Sequence, residues 1–259
     1  MGVTPLVGDL DRPASLRRLA GLADGVLHLA PPPGEGERDS RTHHLLAALS
    51  RRGSLPQRLV YISTTGVYGD CAGAWVRESR ACAAASPRAR RRVDAERQVR
   101  GFGRSFGVRV SVLRAPGIYA ADRLPLERLR RGDPVLVAED DVFTNHIHAD
   151  DLARAMNAAL FRGRPGRCYH ACDNSRRRMG DYFDQVADAF GLPRPPRLPR
   201  TQIDRHLSPL TLSFMSESRR LDNTRLLREL RLRLRYPDTA AGLAAARVQL
   251  ESGENPCSG

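Results

Sequence analysis

Apolar runs of strand length alternate along the first half of the chain with segments whose apolar residues recur at helical spacing. Residues 25–30 (Gly-Val-Leu-His-Leu-Ala) and 58–63 (Arg-Leu-Val-Tyr-Ile-Ser) are short and mostly apolar at successive positions, and 108–114 is a short valine-rich run. Runs of that kind predict strands buried on both faces. Between them, 39–52 and 87–106 place Leu, Ala and Val on one side and charged residues on the other, which predicts helices. Residues 13–22 also read as a helix, with Leu16, Leu19 and Ala20 at helical spacing and Gly21 closing it. Pro31-Pro32-Pro33-Gly34 stops the strand at 25–30, and residues 5–10 form a further short apolar run ending in Gly8-Asp9. Buried strands separated by helices predict an α/β fold with a doubly wound parallel sheet.

The pattern changes after about residue 120, where short helical stretches and Pro-rich loops follow. Leu226, Leu227 and Leu230 keep helical spacing, whereas Leu230, Leu232 and Leu234 alternate with arginine as a strand would. We divide the chain into an α/β core (1–120), a smaller C-terminal substrate-side lobe (121–245) and a flexible tail (246–259).

The chain has 259 residues and a formal net charge of +13, which alone suggests a nucleic-acid binder. The sequence contains no lysine, and its 42 basic residues, all arginine, are spread throughout. Scattered arginine predicts a solvated surface and no nucleic-acid partner. Five cysteines, Cys71, Cys82, Cys168, Cys172 and Cys257, follow no secretory segment, and no run approaches a membrane span. The expectation is free thiols in a cytoplasmic protein, no membrane partner and no metal, since Cys168-Tyr-His170-Ala-Cys172 fits no common zinc spacing.

The most informative segment is Val60-Tyr-Ile-Ser63-Thr64-Thr65-Gly66-Val67-Tyr68-Gly69-Asp70. A hydroxyl cluster at a strand's carboxyl end can hydrogen-bond a substrate carbonyl or alcohol. Gly8-Asp9-Leu10, Leu27-His28-Leu29-Ala30, Leu113-Arg114-Ala115-Pro116-Gly117-Ile118-Tyr119 and Asn145-His146-Ile147-His148-Ala149-Asp150-Asp151 accompany it in order. Together they resemble the NAD-dependent epimerase/dehydratase family, a branch of the extended and atypical short-chain dehydrogenase/reductases. The resemblance implies an NAD(P)-binding Rossmann-like sheet with NAD or NADP bound in the complete form. It implies cofactor contacts from Asp9, Leu10, Leu29, Ala30, Pro31, Ser63, Arg92, Ala115, Pro116, Gly117 and Ile118. It further implies Thr64 and Tyr68 as catalytic candidates, with Thr65 and His148 facing a small-molecule substrate. His28 reads as a core histidine, and Arg114 as a structural partner of Asp150 or Asp151.

Two departures qualify that reading. No Gly-rich turn of the dinucleotide-binding kind precedes Asp9, so the first βαβ strands are expected to be missing. A start placed about 50–60 residues late explains this better than a true remnant, given a βαβ unit of roughly 30 residues. The Tyr-x-x-x-Lys proton relay is also absent, with Arg88 and Arg92 at its two positions. The leading expectation is an NAD(P)-dependent oxidoreductase or epimerase/dehydratase acting on a small carbonyl or sugar-like substrate. The alternative is a non-catalytic ligand sensor or regulatory protein on the same scaffold. The helices after the strands at 25–30 and 58–63 offer a face for a possible homodimer.

Overall fold

In a computed structural model, which describes residues 2–53 and 55–252, four parallel strands form the central sheet. They are β1 (Gly25–His28), β2 (Arg58–Thr64), β3 (Arg109–Ala115) and β4 (Arg167–His170), in that spatial order. Register pairs Leu27 with Val60, Thr64 with Ala115, and Arg114 with His170. Successive residues of β2 therefore face opposite sides. Leu59 and Tyr61 pack beneath α1 (Ser40–Leu49) and α2 (Pro87–Phe106). Val60 and Ile62 pack beneath α3 (Ala149–Arg162) and the short helix Thr224–Glu229. This two-sided burial explains why β2 reads as an apolar run and not as an alternation.

The helix ends follow from their sequence. Asp39 accepts the Thr42 amide at 2.9 Å at the start of α1, and Ser86 accepts the Ala89 amide at 3.2 Å ahead of Pro87 in α2. Gly107, in the left-handed conformation at φ 70°, ends α2. Along α2 one face buries Ala95, Val99 and Phe102 against the sheet, at the spacing of helical turns.

A second lobe is built from α4 (Met179–Ala189), α5 (Thr239–Ser252) and short ladders. Tyr182, Phe183, Val186 and Leu243 form its core with Leu129 and Val135. One ladder, Gly117–Tyr119 beside His146–His148, joins it to the carboxyl end of the main sheet. Helix α5 runs past residue 245, and residues 253–259, including Cys257, lie outside the described residues.

Several expectations from the sequence need correction. Residues 5–10 are not a strand, because no described strand lies beside them to share a ladder. Instead Asp9 shapes a turn: its backbone amide donates to Ser15 Oγ at 2.8 Å, and its carbonyl accepts the Arg12 amide at 2.9 Å. The helix that follows is 3-10 over Pro13–Leu19, and it buries Leu16 alone. Leu230 caps helix Thr224–Glu229 in the αR conformation, Arg231 turns the chain at φ 50°, and Leu232 and Leu234 pack on the core outside any ladder, so the alternation is not a strand. Arg114 pairs with Glu96, reached from α2 across the sheet, and not with Asp150 or Asp151. Asp151 instead accepts the Arg235 and Tyr236 amides, each at 2.8 Å.

Candidate functional site

Two cavities open at the carboxyl ends of the strands, where doubly wound sheets bind ligands. An inner cavity of about 520 Å³ lies between the sheet and the second lobe. Thr64, Thr65 and Gly66 reach it from the end of β2, and Pro116, Gly117 and Ile118 from the turn after β3. An outer groove of about 1220 Å³ runs along the β1 side, with Leu29, Ile118 and His148 on its walls. Ile118 and Arg123 line both, so the two spaces meet there.

Thr64 ends β2 and caps the 3-10 turn Thr65–Tyr68 by accepting the Gly66 amide at 3.2 Å. That bond uses a lone pair of its oxygen and leaves the hydroxyl proton available to a ligand. Thr65 is buried beside it, and Ser63 points into the interior with an unpartnered hydroxyl. Gly117 is tight against the second lobe: a Cβ there would sit 3.2 Å from His146 Cδ2 and 3.4 Å from the Asn145 carbonyl.

Tyr68 lies elsewhere. It is 1% exposed and packs with Val67, Cys71 and Cys172. Its hydroxyl lies 2.6 Å from His170 Nε2 and accepts Arg114 Nη1 at 2.6 Å. His170 Nδ1 is 2.9 Å from the Asp222 carbonyl, which can only accept, so Nδ1 is the donor and Nε2 accepts from Tyr68. Burial holds His170 down to about 4, in keeping with a neutral ring, and pushes Tyr68 upward. The Tyr68 proton is therefore committed to His170.

The other sequence candidates divide. Pro116 and Gly117 line the inner cavity and Ile118 both spaces, with Ala115 buried just before them. Leu29 is 51% exposed on the groove, with Ala30 and Pro31 following. Asp9 and Leu10 line neither cavity; the Leu10 carbonyl lies 2.7 Å from His44 Nδ1. Arg92 also lines neither, because its Nη1 donates to the Ile62 carbonyl and the Tyr61 hydroxyl, both at 2.9 Å. His148 caps α3 by accepting the Asp150 amide at 3.2 Å and packs against Tyr236 on the groove side. His28 is buried with Nε2 2.8 Å from Thr42 Oγ1, and burial lowers it to about 4.

The inner cavity holds residues that sequence reading did not select. Arg88, Arg123, Arg128 and Arg219 line it, with Phe143, Tyr182 and Phe214 among its aromatic walls. Arg88 stacks on Phe214 with its guanidinium carbon 4.8 Å from the ring centre. Arg128 lies over Phe183 and pairs with Asp133 at 3.5 Å. Arg219 pairs with Glu217, the one carboxylate among the described lining residues. Arg88 and Arg123 take part in none of the ion pairs among the described residues. His146 is stacked on Tyr182 at 4.0 Å, and burial drives it down to about 3, so it is neutral. The only signal for Arg88 was its place in the relay position; the others were hidden among 42 arginines.

Among the described residues no group of His, Cys, Asp and Glu could hold a metal ion, and Cys71, Cys82, Cys168 and Cys172 are free thiols. No described helix is long and apolar enough to cross a membrane.

Comparison with known proteins agrees with this architecture. The family described as "NAD dependent epimerase/dehydratase family" matches residues 4–172. A trifunctional UDP-glucose 4,6-dehydratase/UDP-4-keto-6-deoxy-D-glucose 3,5-epimerase/UDP-4-keto-L-rhamnose-reductase of Arabidopsis thaliana is 26% identical over 161 residues. That match covers 58% of this chain and 24% of the plant protein, so the chain spans about a quarter of that relative's length. Among solved structures, a functionally unknown conserved protein from Silicibacter pomeroyi is 31% identical with a TM-score of 0.77, over 87% of this chain and 77% of that one. RMD from Pseudomonas aeruginosa, solved with NADPH, superimposes with a TM-score of 0.75 at 21% identity, over 97% and 90% of the two chains.

Proposed function

The chain belongs to the NAD-dependent epimerase/dehydratase family, and from that membership we propose that its inner cavity takes a nucleoside-diphosphate sugar. The observation that carries this reading is the pair Arg88 and Arg123. Both face the cavity without an ion-pair partner of their own. Guanidinium groups match phosphate oxygens in charge and in fork geometry. The aromatic walls suit a stacked base, and Thr64 at the strand end suits a sugar hydroxyl or carbonyl.

A nicotinamide dinucleotide fits the outer groove in part of its length. Leu29 offers an apolar face, and Ile118 gives the groove a second apolar wall where it meets the inner cavity. These residues would hold the nicotinamide half beside Ile118, within reach of both spaces. When bound, such a group supplies hydride chemistry. The chain's own contribution is to orient the sugar through Thr64, neutralise the diphosphate through arginine and enclose the reacting carbon between the two lobes.

Titration calorimetry of the full chain with UDP-glucose and dTDP-glucose tests the substrate reading. The expected result is saturable one-to-one binding that free glucose does not reproduce. Absence of saturable heat with both at millimolar ligand overturns it. A second reading, a ligand-sensing protein without turnover, is favoured by Arg92, whose committed hydrogen bonds leave no relay lysine equivalent in the cavity. It predicts the same binding without any chemical change in the bound sugar.

A further inference from the structure

Without the Tyr-Lys relay, the inner cavity needs another group that can accept a proton. Its phenols and imidazole are poorly placed for that work. Tyr119 donates to the Asp238 carbonyl at 3.3 Å, Tyr182 is stacked and buried, and His146 is held neutral by burial. Arginine cannot act as a base near neutral pH. Glu217 is different. It lies in the loop after helix Pro209–Phe214, far from the strand-end motif in sequence. A Cβ built on Gly66 would lie 3.9 Å from Glu217 Oε2 and 3.7 Å from Thr64 Oγ1. The carboxylate and the threonine hydroxyl therefore converge on one point, and the missing side chain at position 66 leaves that point open.

The carboxylate is also positioned. Arg219 Nη2 donates to Glu217 Oε2, while Arg219 Nε donates to the Gly69 carbonyl at 3.3 Å. Gly69 closes the turn that begins at Thr64. Arg219, 7% exposed, thus ties the Glu217 loop to the same turn that carries the threonine. Oε1 has no hydrogen bond among the described residues.

We propose that Glu217 is the proton-transfer group of the inner cavity, acting on a carbon next to a sugar carbonyl whose oxygen is held by Thr64. The proposal rests on the reading that the cavity holds a nucleotide-linked sugar. In the step, the Glu217 carboxylate takes the proton from the carbon beside the carbonyl. The electron pair of the broken C–H bond forms a carbon–carbon double bond, and the carbonyl pair moves onto oxygen. The Thr64 hydroxyl hydrogen-bonds that developing oxyanion. Return of the proton to carbon restores the ketone, on the same face or the opposite one. No electron is gained or lost, and no dinucleotide takes part.

The full chain, without added dinucleotide, is incubated in D₂O with UDP-4-keto-6-deoxy-D-glucose, and proton NMR follows the signals of the carbons flanking the carbonyl. Binding of the same compound is measured by calorimetry in parallel. The expected result is exchange well above the protein-free control. In Glu217→Gln, exchange falls by about 100-fold or more while affinity stays within a few-fold. Glu217→Asp retains part of the exchange, which a merely structural role would not predict. If the chain binds the compound without exchanging it, or Glu217→Gln exchanges at the parent rate, the proposal is overturned and the substrate reading stands. If the chain does not bind the compound, the substrate reading falls and the proposal falls with it.

Discussion

Arg114 grips Glu96 at two points, Nε to Oε1 at 2.9 Å and Nη2 to Oε2 at 2.7 Å, with both side chains 5% exposed. The pair crosses from β3 to α2 and continues through Arg114 Nη1 to Tyr68 and on to His170. Removing one partner of such a pair leaves a buried charge uncompensated, which costs roughly 3–5 kcal/mol. Glu96→Gln is therefore expected to lower the unfolding free energy by about that much, read from urea denaturation. Tyr68→Phe loses two hydrogen bonds and should cost about 1–3 kcal/mol, yet leave sugar-nucleotide binding and proton exchange unchanged. A large loss of exchange in Tyr68→Phe, with binding intact, would restore Tyr68 as a catalytic group.

Arg88 and Arg123 supply the next prediction. A charge-assisted hydrogen bond is worth about 1.5–3 kcal/mol, so each Ala variant should weaken UDP-glucose binding by roughly 10-fold or more. The loss should shrink as ionic strength rises, because screening weakens exposed charge contacts. Arg104→Ala, in the last turn of α2, serves as the control and should bind normally. Equal weakening in all three variants would point to net charge and not to a site.

The sheet was legible because two-sided burial leaves a plain record in sequence, as at 58–63 above and below which both helix layers close. Thr64, Pro116, Gly117 and Ile118 were legible because strand-end positions are fixed by topology. Arg123, Arg128, Glu217 and Arg219 were not, since they come from loops and short elements of the second lobe. Their meeting depends on how that lobe folds back, and nothing in local spacing records it. Arg114 was misassigned for a related reason: its charge partner lies on a helix 18 residues earlier in the chain, reached only through the fold.

Three buried histidines predict how stability depends on pH. Burial lowers His28 and His170 to about 4 and His146 to about 3, each from 6.5. Below about pH 6.5 the unfolded chain takes up protons at these rings and the folded chain does not. Stability is thus greatest above 6.5 and falls as pH drops toward 4, each ring contributing up to about 1.4 kcal/mol per pH unit. Asp173 opposes this: burial raises it from 3.8 to about 7, so its contribution grows on acidification over that range. His148 is lowered by burial in the same sense as these rings, and Glu78 and Asp141 are raised in the same sense as Asp173. The imidazoles, whose unfolded value of 6.5 lies inside this window, set the direction, and urea midpoints should fall between about pH 7 and pH 5. His28→Gln should flatten the fall, and a midpoint that rises on acidification would contradict the assignment.

Gly69 ties the stability of the site to its chemistry. It ends the turn after Thr64 at φ 63°, where a side chain is strained, and a Cβ there would lie 2.4 Å from the Ala83 carbonyl oxygen. That neighbour is backbone and cannot rotate away; the amide of Ala83 is itself bound to the Val67 carbonyl at 2.9 Å. Gly69→Ala should therefore cost roughly 1–3 kcal/mol from strain and overpacking. The Gly69 carbonyl also anchors Arg219, which holds Glu217. Movement of this turn should displace the carboxylate, so proton exchange at a bound keto-sugar should fall by more than binding does. Calorimetry and exchange NMR on Gly69→Ala, at a temperature where the variant is fully folded, separate the two effects. Unchanged exchange in a destabilised variant would show that Arg219 does not position Glu217 through this turn.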